Sequence, residues 1–129
     1  MLEKDPLFAR INLDADELDL YEQVFERVSL EAPAPDLVVY LQAPVEVLVE
    51  RIRKRGRPHE RDIESEYLRR LSDRYAEFFY YYDLSPLLII NAAEINPVER
   101  EKDYHMLLEQ ICTIRSGKHY FNPAPLLFK

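Results

Sequence analysis

Six of the chain's seventeen Lys and Arg residues fall within residues 51–61: Arg51, Arg53, Lys54, Arg55, Arg57 and Arg61. Set against Glu60 alone they leave +5, while the other 118 residues hold 11 cations against 23 acids, or −12. Like charges at this density repel one another. Packing gives no reason to collect them, whereas a polyanion such as a nucleoside triphosphate does. Arg51 and Arg55 are four residues apart and share a helix face. Arg57 follows just beyond Gly56, one of only two glycines, which marks a turning segment. Several guanidinium forks converging on one point hold β- and γ-phosphate oxygens and stabilise charge in phosphoryl transfer. A solvated helix end, whose dipole also favours cations, accounts for one or two arginines but not for six cations.

Other residues carry weaker signals. Glu60 sits directly beyond the arginines, where its carboxylate can accept a hydrogen bond from a sugar hydroxyl or pair with Arg57 or Arg61. The aromatic stripe from Tyr67 to Tyr82 lies at helical spacing, which predicts core or a helix–helix interface rather than a nucleobase platform. Tyr80 and Tyr81 fall off that stripe. His59, His105 and His119 have no ligand-like spacing, so no protein metal site is expected. Cys112 is expected to be buried and inert. The run Ser116, Gly117, Lys118, His119 lacks both the second glycine and the Ser/Thr that a phosphate-binding loop requires, and the chain has no such loop.

The elements that position the cluster can be read from pattern. Asp14 and Glu17 form a D-x-x-E capping pattern, and Leu18, Tyr21, Phe25 and Val28 continue at helical spacing, so residues 14–29 are predicted helical. The segment before Asn12 is expected to be irregular. Leu37, Val38, Val39, Tyr40 and Leu41 form a continuous apolar run, the mark of a strand covered on both faces. Pro44 suits the first turn of a helix carrying Val45, Leu48, Val49 and Ile52 into the basic cluster. Asp62 is a plausible N-cap for the aromatic helix. Residues 86–90 form a second buried strand, and residues 99–115 a last helix stopped near Gly117. A Pro-rich tail, residues 117–129, is expected to lie extended over a surface. Two parallel strands joined by helices predict an α/β fold. Two strands leave both edges open, so the chain looks like one half of an α/β domain.

Composition bounds the class. The length, 129 residues, is one domain or part of one, and 47% hydrophobic residues can supply a core. No apolar run approaches the roughly 20 residues that span a membrane. Met1 to Asp5 have no apolar h-region, so no secretory signal is expected. An acidic total with one basic island argues against general nucleic-acid binding. A single cysteine fits a cytoplasmic setting.

The runs Asp36-Leu-Val-Val-Tyr-Leu-Gln-Ala-Pro, Glu50-Arg-Ile-Arg-Lys-Arg-Gly-Arg and Ile63-Glu-Ser-Glu-Tyr-Leu-Arg-Arg-Leu together resemble the C-terminal half of the deoxynucleoside kinases. The resemblance covers roughly residues 3–98, and Tyr120-Phe-Asn is similar to bacterial members. It implies a partial P-loop kinase fold, mostly helical, with residues 1–129 forming the C-terminal part of one domain. It implies transfer of the γ-phosphoryl of ATP, with Mg²⁺, to the 5′-hydroxyl of a deoxynucleoside, by a cytoplasmic homodimer formed through helices. Residues 51–62 resemble the family's LID. By the same resemblance Arg51, Arg55 and Arg57 hold the donor phosphates and Glu60 reaches the deoxyribose. Phe8 stacks on the base, Asp5 recognises it by polar contact, and Glu94 and Asn96 lie near the adenine of ATP.

The family's P-loop, general base and Mg²⁺ ligands have no counterpart here. The chain is therefore expected to be a truncated, split or mis-started product without kinase activity of its own. Two alternatives stay open. One is a non-catalytic module that pairs with a full kinase subunit, with the aromatic helix as the dimer face. The other is a fragment of a thymidylate-kinase-like enzyme.

Overall fold

The computed structural model describes residues 3–29, 33–58 and 63–122. Its elements are α1 (Lys4–Asn12), α2 (Ala15–Ser29), β1 (Val38–Gln42), α3 (Val45–Arg55), α4 (Ser65–Tyr81), β2 (Leu87–Asn91), α5 (Glu101–Thr113) and β3 (Lys118–Phe121). The three strands form one parallel sheet in the order β1-β2-β3. Val38 pairs with Leu87, and Leu87 with Lys118.

β2 is the centre of the sheet, and its continuous apolar run has the physical cause expected of a parallel strand. Leu87 and Ile89 face one side and pack with Val38, Phe79 and Tyr82. Leu88 and Ile90 face the other and pack with Ala92 and Ile95, covered by Leu107, Ile111 and Ile114. The sheet thus lies between α4 and α5, the layering of an α/β domain. Leu88 and Ile90 have no exposed surface at all.

The aromatic stripe of α4 belongs to this core. Phe79 stacks on Tyr40 of β1 with ring centroids 4.4 Å apart, and Tyr75 and Phe78 flank it. That face is spent inside the fold, so the aromatic stripe is not an open dimer face. Tyr80 and Tyr81, off the stripe, are both exposed.

Local signals explain most boundaries. At the start of α2 the Glu17 N–H donates to Asp14 Oδ1 at 2.8 Å and the Asp14 N–H donates to Glu17 Oε1 at 3.1 Å, a complete capping box. α3 starts one residue after Pro44, which stands at the N-cap rather than inside the first turn. It ends at Gly56, whose φ of 70° is the left-handed conformation that glycine adopts without a Cβ penalty. α4 begins at Ser65 with Glu64 as its N-cap, and Asp62 lies outside the described residues. α5 is two residues shorter at each end than periodicity predicts.

Three expectations need correction. The segment up to Asn12 is helical, not irregular: it is α1. Pro6 falls in its first turn, where a missing N–H costs no intrahelical bond, and Leu7 and Ala9 are buried. The sheet has three strands rather than two. Composition predicts a surface tail from Gly117 onward, yet residues 118–121 pair with β2 as β3. Gly117, at φ 80°, turns the chain into line, and the Leu87 N–H donates to the Gly117 carbonyl at 3.0 Å. Cys112 is exposed, not buried, because it lies off the α5 face that covers the sheet.

Candidate functional site

In open α/β sheets ligands bind beyond the carboxyl ends of the strands. Here β1 leads into α3, and β2 leads into an irregular turn at residues 92–99. These two segments meet. Arg51, on α3, donates through Nη2 to the carbonyl oxygens of Ala92 at 2.7 Å, Ile95 at 3.1 Å and Ala93 at 3.4 Å. One turn along the helix, Lys54 Nζ lies 3.2 Å from Glu99 Oε1.

The turn is also held from within. The Ala93 N–H donates to the side-chain oxygen of Asn91 at 3.2 Å. Asn96 Nδ2 donates to Glu99 Oε2 at 2.9 Å, and the Glu99 N–H donates back to Asn96 Oδ1 at 3.0 Å. From α5, Asp103 Oδ2 accepts the Asn96 N–H at 2.8 Å, with Arg100 Nη1 3.9 Å from the same oxygen. Asp103 is the one buried charged side chain among the described residues. Burying a carboxylate is costly unless it is paired, and this one is satisfied by a backbone donor and a cation.

The basic cluster divides around the end of α3. Arg51 faces the turn, and the four-residue spacing puts Arg55 on the same side of the helix. Arg55 and Arg57 are both exposed. Arg57 lines a separate cleft of about 330 Å³ with Arg53, Gly56, Ile63 and Leu68. Arg51 and Arg57 therefore do not share one enclosure. Glu60 lies outside the described residues.

Asp5 and Phe8 leave α1 in different directions. Asp5 accepts a hydrogen bond from the Tyr21 hydroxyl on α2. Loss of water around Tyr21, and then the Asp5 carboxylate beside it, push the Tyr21 phenol up to about 12. Phe8 meets Tyr75 edge-on at 6.2 Å. A groove of about 730 Å³ runs from Lys4 on α1 past Tyr40 and Gln42 on β1 to Ile52 on α3 and Tyr75 on α4. Its walls are mostly apolar, with Lys4, Tyr40, Gln42, Ser72 and Tyr75 as its polar points. Burial raises the pKa of both phenols and keeps them neutral, and a hydrogen bond from Gln42 partly offsets this at Tyr40. Sequence reading assigned Tyr75 to the aromatic core and missed that it also lines a groove. Glu94 is exposed and Asn96 half-buried on the turn.

No group of three or more His, Cys, Asp or Glu side chains suited to a metal ion occurs among the described residues. The guanidinium-rich end of α3 fits a polyphosphate.

The deoxynucleoside kinase family model matches residues 5–115. The chain belongs to the deoxynucleoside kinase family. Deoxyguanosine kinase from Lactobacillus acidophilus is 29% identical over 122 residues, which cover 84% of this chain and 54% of the relative. A structure of deoxyadenosine kinase from M. mycoides with bound dCTP superposes with a TM-score of 0.73 at 26% identity, over 88% of this chain and 61% of that one. Bovine NADH dehydrogenase (ubiquinone) 1 alpha subcomplex subunit 10 is 39% identical over 62 residues, 48% of this chain and 18% of that protein. The chain spans about half the length of the curated deoxynucleoside kinase it matches. Its three parallel strands and flanking helices are a partial P-loop kinase fold.

Proposed function

We propose that this chain is the C-terminal segment of an ATP-dependent deoxynucleoside kinase, bearing the LID and part of the nucleoside pocket. The observation that carries the reading is the family match over residues 5–115 together with the cation-rich end of α3 at the carboxyl edge of the sheet. In the reaction the γ-phosphorus forms a bond to the 5′-oxygen of the deoxynucleoside, and its bond to the β–γ bridging oxygen breaks. ADP leaves with that electron pair, and the hydroxyl proton passes to a base. Arg55 and Arg57 bind the donor phosphates as charge spreads over the equatorial oxygens. Arg51 joins them in the LID while anchoring the turn after β2. Glu60 takes the deoxyribose, Phe8 and Asp5 the base, and Glu94 and Asn96 the adenine side of ATP. Mg²⁺ supplies charge neutralisation across the phosphates when it is bound.

No phosphate-binding loop and no base for the 5′-hydroxyl are present in the sequence, so the chain alone binds without turning over. We place it in the cytoplasm as a homodimer formed through helices. Titration calorimetry with ATP tests the binding half. Salt-sensitive binding that disappears in Arg55→Ala/Arg57→Ala is expected. Steady phosphorylation of a deoxypurine nucleoside by the chain alone would refute the inactive-segment reading.

A second reading has its own support. Part of the chain is similar to a protein whose name makes it a subunit of a larger dehydrogenase assembly. On that reading the chain is a non-catalytic module that pairs with a full kinase subunit. Co-expression with a full-length relative, followed by light scattering for a mixed dimer, separates the two.

A further inference from the structure

Asn96 is the hub of the turn after β2. Its N–H donates to Asp103 Oδ2 at 2.8 Å, and its carbonyl accepts the Arg100 N–H at 2.8 Å. Its side-chain oxygen accepts the Glu99 N–H, and its Nδ2 donates to Glu99 Oε2. Each of its polar groups thus has a partner inside the protein. The rest of the turn is committed in the same way. Arg51 takes the carbonyls of Ala92, Ala93 and Ile95, and the N–H groups of Ala92 and Ala93 go to the Gln42 carbonyl and the Asn91 side chain. Glu99 is held by Asn96 and Lys54. Among the described residues, Glu94 is left as the exposed polar side chain of the turn without a partner.

We infer that Asp103 is a positioning residue, which locks Asn96 from α5 and so fixes the turn that meets the base of the phosphate donor. The inference rests on the ATP-binding reading above and adds a residue to it. Three observations carry it. First, Asp103 is the buried charged side chain of the described residues, and its cation is a weak partner: Arg100 lies 3.9 Å away and is 68% exposed. Its main bond is the one to the Asn96 N–H, so the carboxylate is buried for the sake of the turn. Second, the dipole of α5 does not account for the burial. Glu101, in the same first turn, gains that interaction while exposed. Third, the turn stands where a base would lie. Arg55 is one helical turn, about 6 Å, beyond Arg51 on the same side of α3. A triphosphate held at Arg55 therefore has its base within reach of the segment that Arg51 grips. A carboxylate makes a stronger bond to an N–H than a neutral acceptor does, which suits a turn that must keep one shape before the ligand arrives.

Titration calorimetry on the whole chain tests this with two probes: ATP, and inorganic tripolyphosphate, which has the phosphates and no base. The native chain should bind ATP more tightly than tripolyphosphate. Asp103→Ala should weaken ATP by roughly tenfold and leave tripolyphosphate within about twofold. Asp103→Asn keeps an acceptor oxygen and should restore most of the preference for ATP. Asn96→Ala, at a half-buried site, removes the bonds to Glu99 and should also weaken ATP alone. It decides the matter if circular dichroism shows Asp103→Ala to be unfolded. A merely structural role predicts the opposite pattern, in which both probes weaken together. Equal weakening of the two probes, or no change in either, overturns the positioning role and leaves ATP binding standing. A native chain that binds tripolyphosphate as tightly as ATP overturns the base contact and leaves the phosphate site standing. A native chain that binds neither overturns the inference and the ATP-binding reading together.

Discussion

Arg51 and Ala92, forty-one residues apart in sequence, are joined by a 2.7 Å hydrogen bond from guanidinium Nη2 to a backbone carbonyl. This bond ties the stem of the basic segment to the turn after β2. The same nitrogen reaches the carbonyls of Ile95 and Ala93, so one side chain gathers three carbonyls of the turn. Arg51→Ala should therefore loosen residues 92–96 before it unfolds anything else. Hydrogen bonds to a charged group contribute about 1.5–3 kcal/mol, and partial exposure puts this site at the low end. Arg51→Lys keeps the charge but replaces a planar fork with a point donor, and should recover part of the loss. Amide exchange across the turn and a urea melt measure both.

Asp103 secures the turn from the other side. Asp103→Ala leaves the Asn96 N–H without its acceptor and should cost about 1–3 kcal/mol, the penalty of an unpaired buried donor. Asp103→Asn retains an oxygen at that place and should cost less. Faster exchange of the Asn96 amide in the alanine variant than in the asparagine variant is the expected signature. Equal exchange in the two would show that the carboxylate does not hold the turn.

Tyr21 gives a pH dependence whose sign is fixed. Its phenol is raised from 10.0 to about 12 in the folded chain by loss of water and then by Asp5. The neutral form is thus favoured by folding. Its contribution is fully present below pH 10 and is lost as pH rises through about 12. Tyr40 and Tyr75 are also raised, by burial, and act in the same direction. Stability measured by denaturant titration should fall over this window, and Tyr21→Phe should flatten part of the fall. An unchanged slope in Tyr21→Phe would remove Tyr21 as a cause.

Phe79 tests the assignment of the aromatic stripe to the core. It is 3% exposed and contacts Tyr40, Tyr75, Phe78 and Tyr82. Phe79→Ala should destabilise the fold by about 3–5 kcal/mol. Tyr81→Ala, at a residue 74% exposed, should change stability by less than about 0.5 kcal/mol. Thermal melts of the two variants give the comparison.

The parts of the fold that depend on local pattern were legible. The Asp14–Glu17 capping box, the apolar runs of β1 and β2 and the α4 stripe each carry their signal within a few residues. β3 was not, because Lys118, His119, Tyr120 and Phe121 show neither an apolar run nor a clean alternation. Their pairing is decided by β2 and by the turn at Gly117. α1 was hidden by Pro6, which reads as a breaker except in a first turn. In the candidate site the cation excess was plain, but the partners of Arg51 were not. They are backbone carbonyls, which every residue has and which no sequence motif marks. The separation of Asp5 from Phe8 was equally invisible, since α1 itself was read as irregular.

β2 gains its second neighbour only when β3 arrives, after the whole of α5 has been made. During synthesis on the ribosome, the most hydrophobic strand of the chain therefore waits with one open edge while about thirty further residues emerge. Parallel pairings of this kind form late, because distant segments must first be brought together. A nascent chain paused between Asn91 and Lys118 presents Leu87, Leu88, Ile89 and Ile90 as a template for another strand. Co-translational chaperone capture and aggregation should accordingly concentrate in that interval of translation, and should end once Phe121 has left the exit tunnel.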